Sequence, residues 1–249
     1  MVDSRSQTTG FLNALGDVDS ILSESKKHPV SDSLKYNSHI HLPPNFSAFD
    51  TVGQAVQCAA DEGVQVLGCG NYYDYSVYQQ FSEIAQDKGV FPLFGTEIIA
   101  LETDFQQLGV RINDPGNPGK YYICGKGISR FEHLSDKATK LLTTIRSNDA
   151  MRMREMIETM AAVFKEHGID TGLDDHAVIR RVVRRHGCTL DMVVLQERHV
   201  AEAFQAVFFE KIPGEQRRER LTALFGDSPR SGLDDAVGIQ TEIRTHLMK

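Results

Sequence analysis

From residue 35 to residue 98 the chain alternates between two hydrophobic periods. Residues 35–43 read as a short extended segment. Residues 49–63 carry Val52, Ala55, Val56, Ala59 and Ala60 at three- and four-residue spacing, the stripe of an amphipathic helix. Residues 64–70 are a short apolar run of strand length. A second helical stripe, Val77, Phe81, Ile84 and Ala85, lies within residues 75–88, Gly89 marks its end, and residues 90–98 read as a third strand. Strands joined through helices by short links predict parallel pairing, because parallel strands need crossover connections.

Outside this block the pattern changes. Residues 1–10 are polar and expected to be loose. Phe11, Leu12, Leu15, Val18, Ile21 and Leu22 predict a helix over 11–25 with its stripe against the sheet, and residues 23–33 read as a connector. Two strand-like runs, 110–112 and 121–124, flank the turn-rich stretch 113–119 and predict a β-hairpin or a paired excursion with a long tip. From residue 133 onward the period is helical, with stripes over 138–146, 149–167, 174–186, 196–211, 214–225 and 233–247; residues 191–195 are a short strand candidate. The expected architecture is α/β. An extension and helix reach residue 33, a block of parallel strands with a hairpin excursion covers 34–132, and a mostly helical subdomain covers 133–249.

Composition narrows the function classes. Hydrophobic residues at 41% and charged residues at 24% are the proportions of a soluble globular chain, and no apolar run reaches the length of a membrane span. The first residues lack the basic-then-apolar pattern of a signal peptide. Cys58, Cys69, Cys124 and Cys188 are scattered without a Cys-x-x-Cys pair, which points away from a disulfide framework and towards a reducing cytoplasm. A formal net charge of −7 weighs against a general nucleic-acid binder. Gly125-Lys126-Gly127 invites a phosphate-loop reading but lacks its spacing, which leaves only its backbone amides to meet a phosphate, and no nucleophile elbow is present.

Candidate chemistry collects at the carboxyl ends of the strands, where parallel sheets place their sites. His39-Ile40-His41 closes the first strand. Residues i and i+2 of an extended segment share a side, so two imidazoles project together, as a metal site needs. Glu97 adds a carboxylate at the end of the third strand, its other reading being a helix cap. Asp74, after the second, reads either as a metal ligand or proton acceptor or as a helix N-cap. Two imidazoles and a carboxylate suit a divalent ion such as Zn, Mn or Fe.

These motifs resemble the amino-terminal part of the polymerase and histidinol phosphatase (PHP) family of metal-dependent phosphoesterases, most specifically over residues 35–100 and loosely over 130–210. That family opens with His-x-His after its first strand, here His39-Ile40-His41, and has Gly-x-Glu after its third, here Gly95-Thr96-Glu97. Glu197-Arg198-His199-Val200-Ala201 resembles the segment that supplies a later histidine ligand after a helical insertion; the other reading of His199 is a satisfied helix-packing histidine. Where the family shows Thr-Asp-His-Asp, this chain has Gly70-Asn71-Tyr72-Tyr73-Asp74, with Tyr72 and Tyr73 in the place of the histidine. The resemblance implies a partial (βα) barrel of PHP type followed by a helical subdomain, with the barrel completed beyond residue 249. It implies divalent metal held by His39, His41, Glu97 and His199, with His39, His41, Glu97 and Asp74 at the catalytic centre. The substrate would be small and phosphorylated, a phosphomonoester or a nucleotide phosphodiester hydrolysed by metal-activated water.

Two rival readings stand beside this one. Tyr72 and the missing later motifs favour a catalytically degenerate PHP-like binding or structural module. A PHP-type exonuclease acting on nucleic acid is the other, and the acidic net charge weighs against it. Arg180, Arg181, Arg184 and Arg185, and Arg217, Arg218 and Arg220, read as solvated helix faces or as a phosphate-recognising wall. His28, His133, His167, His176, His186 and His246 read as surface or helix-end residues.

Overall fold

The computed structural model describes residues 10–27, 33–131 and 134–248. The polar start at 1–9, residues 28–32 of the connector with His28, residues 132–133 with His133, and Lys249 lie outside the described residues. The chain divides into two compact units, residues 1–43 with 47–143 and residues 44–46 with 144–249.

The first unit opens with two short helices, α1 (Gly10–Ala14) and α2 (Val18–Lys27), in place of the single helix expected over 11–25. Gly16, at φ +89°, turns the chain between them. The expected packing also differs: Leu15, Val18, Ile21 and Leu22 are exposed, while Phe11 sets edge-on against Phe91 and Phe94. β1 (Tyr36–Ile40), α3 (Val52–Asp61), β2 (Val66–Cys69), α4 (Tyr78–Asp87) and β3 (Phe91–Leu101) follow as two crossover units. Thr51 caps α3 by accepting the Gln54 N–H at 3.1 Å, and the helix buries Val52, Ala55, Val56 and Ala59. α4 buries Tyr78, Phe81 and Ala85; Phe81 meets Phe94 edge to face at 6.0 Å. Fully burying a side chain of that size contributes about 1.5–3 kcal/mol.

β1 pairs with β2 and β2 with β3, both parallel. The hairpin expected between 110–112 and 121–124 does not form. Instead β4 (Lys120–Lys126) runs antiparallel along the far half of β3, from Gly95 opposite Lys126 to Leu101 opposite Lys120, giving the sheet order β1-β2-β3-β4. The cause is length: β3 has 11 residues and β2 only 4, so β3 outruns its first partner. Between β3 and β4 lies the short helix α5 (Thr103–Gln107). Next comes a loop organised by Asp114, which accepts the Gly116 and Asn117 N–H groups and pairs with Lys120 at 3.1 Å. Those bonds hold the Asp114 carboxyl down at about 2, against the opposing effect of burial.

The second unit is helical. α6 (Asp136–Glu166), whose first turns belong to the first unit, runs unbroken for 31 residues where two helices were expected. Ser147-Asn148 costs a helix only a few tenths of a kcal/mol per residue, too little to end it. With α7 (Asp175–His186), α8 (Glu197–Lys211), α9 (Gly214–Phe225) and α10 (Ala236–Leu247), it encloses a core of Met153, Ile157, Phe164, Val178, Phe204 and Ile239 among others. The strand candidate at 191–195 is a single 3-10 turn, Leu190–Met192, followed by an extended link whose Val194 N–H donates to Asn45 Oδ1 at 2.7 Å. Among the described residues no helix is long and apolar enough to cross a membrane.

Candidate metal centre

A bulge in β1 sets the geometry of the site. Between Asn37, opposite Leu67, and Ile40, opposite Cys69, β1 carries one residue more than β2. Asn37 Oδ1 accepts the His39 N–H at 3.1 Å, so that amide is satisfied locally. The bulged backbone rests on Gly68, where any Cβ would collide with the Ser38 carbonyl. His39 and His41 emerge on one side, ring centroids 5.1 Å apart, and each turns Nε2 onto Glu97 Oε2 at 3.0 Å.

The loop after β2 holds these ends together. Asn71 donates its Nδ2 to Leu42 O at 3.1 Å and accepts the Leu42 N–H at 2.7 Å, fixing the residue after His41. Its carbonyl accepts the Glu97 N–H at 3.2 Å, and Tyr72 forms a parallel bridge beside Glu97. Tyr78 Oη accepts the Asn71 N–H and donates to Gly95 O at 2.8 Å. The Tyr72 ring stacks on His41 at 4.8 Å. Tyr73 adopts φ +53°, a conformation rare for a residue with a side chain, and its Oη accepts the Ile99 N–H at 3.2 Å.

Side-chain exposure falls from 33% at His39 to 15% at His41 and 9% at Glu97. Burial, with the Lys126 charge, lowers the His39 pKa in spite of Glu97. Burial alone would raise the Glu97 pKa, but the hydrogen bonds and charge of His41 and His39 outweigh it and the net shift is downward. A neutral imidazole and an ionised carboxylate are the forms that bind a cation.

The three ligating atoms lie within 4.8 Å of one another. A tetrahedral ion with bonds of about 2.0–2.1 Å spaces its ligands roughly 3.3 Å apart, close to the two 3.0 Å contacts. The donor set, two nitrogens and one oxygen, suits Zn, Mn or Fe. With Nε2 on an ion, the His39 Nδ1 carries the proton and faces Cys124 Sγ at 3.8 Å.

Other expected site residues are placed elsewhere. His199, expected as a ligand, is buried in the second unit with both ring nitrogens committed. Nδ1 accepts the Gln196 N–H at 3.1 Å and Nε2 donates to Pro44 O at 2.8 Å, so no lone pair remains for a metal. Burial lowers its pKa to about 4. Asp74, expected at the catalytic centre, is not part of the cluster: Oδ2 accepts the Ser76 N–H and hydroxyl and organises the turn before α4. Three of the seven arginines weighed as a phosphate wall have partners within their own unit. Arg181 pairs with Glu210, Arg185 with Glu202, and Arg217 with Asp234 and the carbonyls of Phe209, Ile212 and Leu233.

Cys124 and Lys126 were absent from the expected site. They stand opposite Glu97 and Gly95 in the β3–β4 ladder, so they share the face of Glu97. Only the register of β4 places them there, and no local motif announces it.

No protein-family model matches the chain, and no match emerges among characterised proteins. Among solved structures, a Bifidobacterium adolescentis protein described provisionally as a metal-dependent phosphoesterase aligns with a TM-score of 0.49 at 14% identity, over 80% of this chain. The chain spans 56% of that protein's length. A likeness of this degree establishes neither fold nor activity.

Proposed function

We propose that the chain is a metal-dependent hydrolase of phosphoesters whose divalent ion is held by His39, His41 and Glu97. The observation that carries the reading is the convergence of both Nε2 atoms on one Glu97 oxygen at a half-open rim. The resemblance of residues 35–100 to the PHP family supports the choice of phosphoesters over other substrates of such centres. A divalent ion supplies Lewis acidity there, lowering the pKa of a bound water and screening charge on the ester oxygens. The chain's own part is to orient. Glu97 completes the ligand set, Asn71 holds the strand end behind His41, and the stacked Tyr72 ring limits the rotation of that imidazole.

A second reading is a PHP-like module that binds metal without turnover. Tyr72, buried and stacked on His41 where the family carries its histidine, favours it. One experiment separates the two: elemental analysis of the purified chain, then turnover of an aryl phosphate and a bis-aryl phosphate with added Zn, Mn or Fe. Metal retention with turnover that disappears in the His39→Ala/His41→Ala protein supports the hydrolase. Retention without turnover supports the module, and undiminished turnover in the double variant sinks both.

A further inference from the structure

The Glu97 face of the sheet carries a cation that the metal centre does not use. Lys126 lies opposite Gly95, two residues from Cys124, which is opposite Glu97; neighbours at that spacing project to the same side. Gly95 has no side chain, so the Lys126 stem crosses the sheet there, its Cδ 3.4 Å from where a Cβ would sit. Nζ ends at Ser38 O, 2.6 Å away, on the residue before His39. That bond occupies one of three ammonium donors. Among the described residues no carboxylate pairs with Nζ. Acids are available nearby in sequence to other lysines, as Asp114 is to Lys120, so an unmatched ammonium beside a ligand histidine stands out.

We infer that Lys126 is a substrate-binding residue that takes the charge of a phosphate on the ester, and so selects phosphomonoester dianions over neutral esters or amides. This rests on the metal-centre reading above. The charge balance is its physical basis. Glu97 brings one negative charge and the imidazoles none, while a divalent ion and Lys126 bring positive charge in excess by two, the complement of a phosphomonoester dianion. Without Lys126 the same ligands would hold an ion equally suited to polarising an uncharged carbonyl. The lysine is what favours an anion.

The test uses the full chain loaded with Mn or Zn and inorganic phosphate as the probe. Lys126→Met keeps the apolar stem across Gly95 and deletes the charge; Lys126→Arg restores a charge. Calorimetric titration should show phosphate bound about tenfold more weakly by Lys126→Met and near the wild-type affinity by Lys126→Arg, as loss of a charge-assisted hydrogen bond predicts. Metal affinity, measured by competition with a chromophoric chelator, should be the same in all three. With an aryl phosphate, the methionine variant should raise KM more than it lowers kcat. Unchanged phosphate affinity in Lys126→Met overturns the inference while leaving the metal centre standing. Equal loss of metal and phosphate affinity in that variant also overturns it, because Lys126 would then serve only to tie β4 to β1. A wild-type chain that binds no metal removes the underlying reading and this one with it.

Discussion

Changing His199 perturbs a bridge at the N-terminus of α8. The imidazole accepts the N-cap Gln196 N–H on one side and donates to Pro44 O on the other, both inside the protein. Alanine would leave a buried donor and a buried acceptor unpaired, each costing about 1–3 kcal/mol. With the cavity, the expected loss is about 3–5 kcal/mol. Glutamine keeps part of the hydrogen bonding and removes the titration. Burial holds the folded imidazole at about 4, below its ordinary value of 6.5. Between those pH values the unfolded chain binds a proton that the folded chain does not. The contribution is therefore complete above about pH 6.5 and is lost as the pH falls towards 4, amounting to about 3 kcal/mol. Urea unfolding followed by circular dichroism at pH 7.5, 6, 5 and 4 reads this directly. His39 is shifted in the same direction, so the comparison of wild type with His199→Gln isolates His199. The variant should be less stable at pH 7.5 and should have a shallower pH slope by up to one proton. An identical slope in both proteins, or an alanine variant within about 1 kcal/mol of wild type, refutes the bridge.

Three further outcomes follow from particular contacts. Gly68→Ala should cost about 3 kcal/mol or more, read as a lower melting temperature with loss of metal binding, because its Cβ meets the Ser38 carbonyl in the β1 bulge. Cys124→Asp should tighten metal binding about tenfold in a chelator competition, since a carboxylate facing His39 Nδ1 is a stronger acceptor than a thiol; weaker binding would contradict that role. Glu242→Gln should cost about 1–2 kcal/mol in urea unfolding, as both carboxylate oxygens accept N–H groups from Arg230 or Ser231. Despite burial, those bonds lower the Glu242 pKa, so in wild type this contribution is present above the ordinary carboxylate pKa and lost as the pH falls below it.

How much of this was legible in the sequence differs from residue to residue. The stripe Val52, Ala55, Val56 and Ala59 announced α3 because periodicity records a buried face directly. The same logic could not give β4 its partner: Tyr121 to Cys124 read as strand, but pairing is a long-range choice set by the surplus length of β3. Lys126 and Cys124 were illegible for that reason. The two readings of His199 could not be separated because a histidine at a helix start looks the same whether its lone pair is free or spent. One local signal was available: Gln196 and His199 stand at capping-box spacing before an apolar run. The exposed stripe of α2 marks the opposite limit, a helical period with no buried face among the described residues.

The loop after β2 bears on how many ions the centre can hold. Two-ion hydrolytic centres place their metals about 3.5–4 Å apart, and each ion needs ligands of its own besides a bridging carboxylate. The residues where the PHP family carries its acidic-His pair are here scaffolding. Asn71 spends its amide on Leu42, Tyr72 stacks on His41, and Asp74 holds Ser76. Among the described residues the cluster is His39, His41 and Glu97, three ligands, which is the protein complement of a single catalytic ion with an open position. The expected stoichiometry is therefore about one ion per chain after loading with Zn or Mn and desalting, falling to near zero in Glu97→Ala. Elemental analysis against protein concentration measures it. Two ions per chain, both lost in Glu97→Ala, would show that ligands beyond these three complete a two-ion centre.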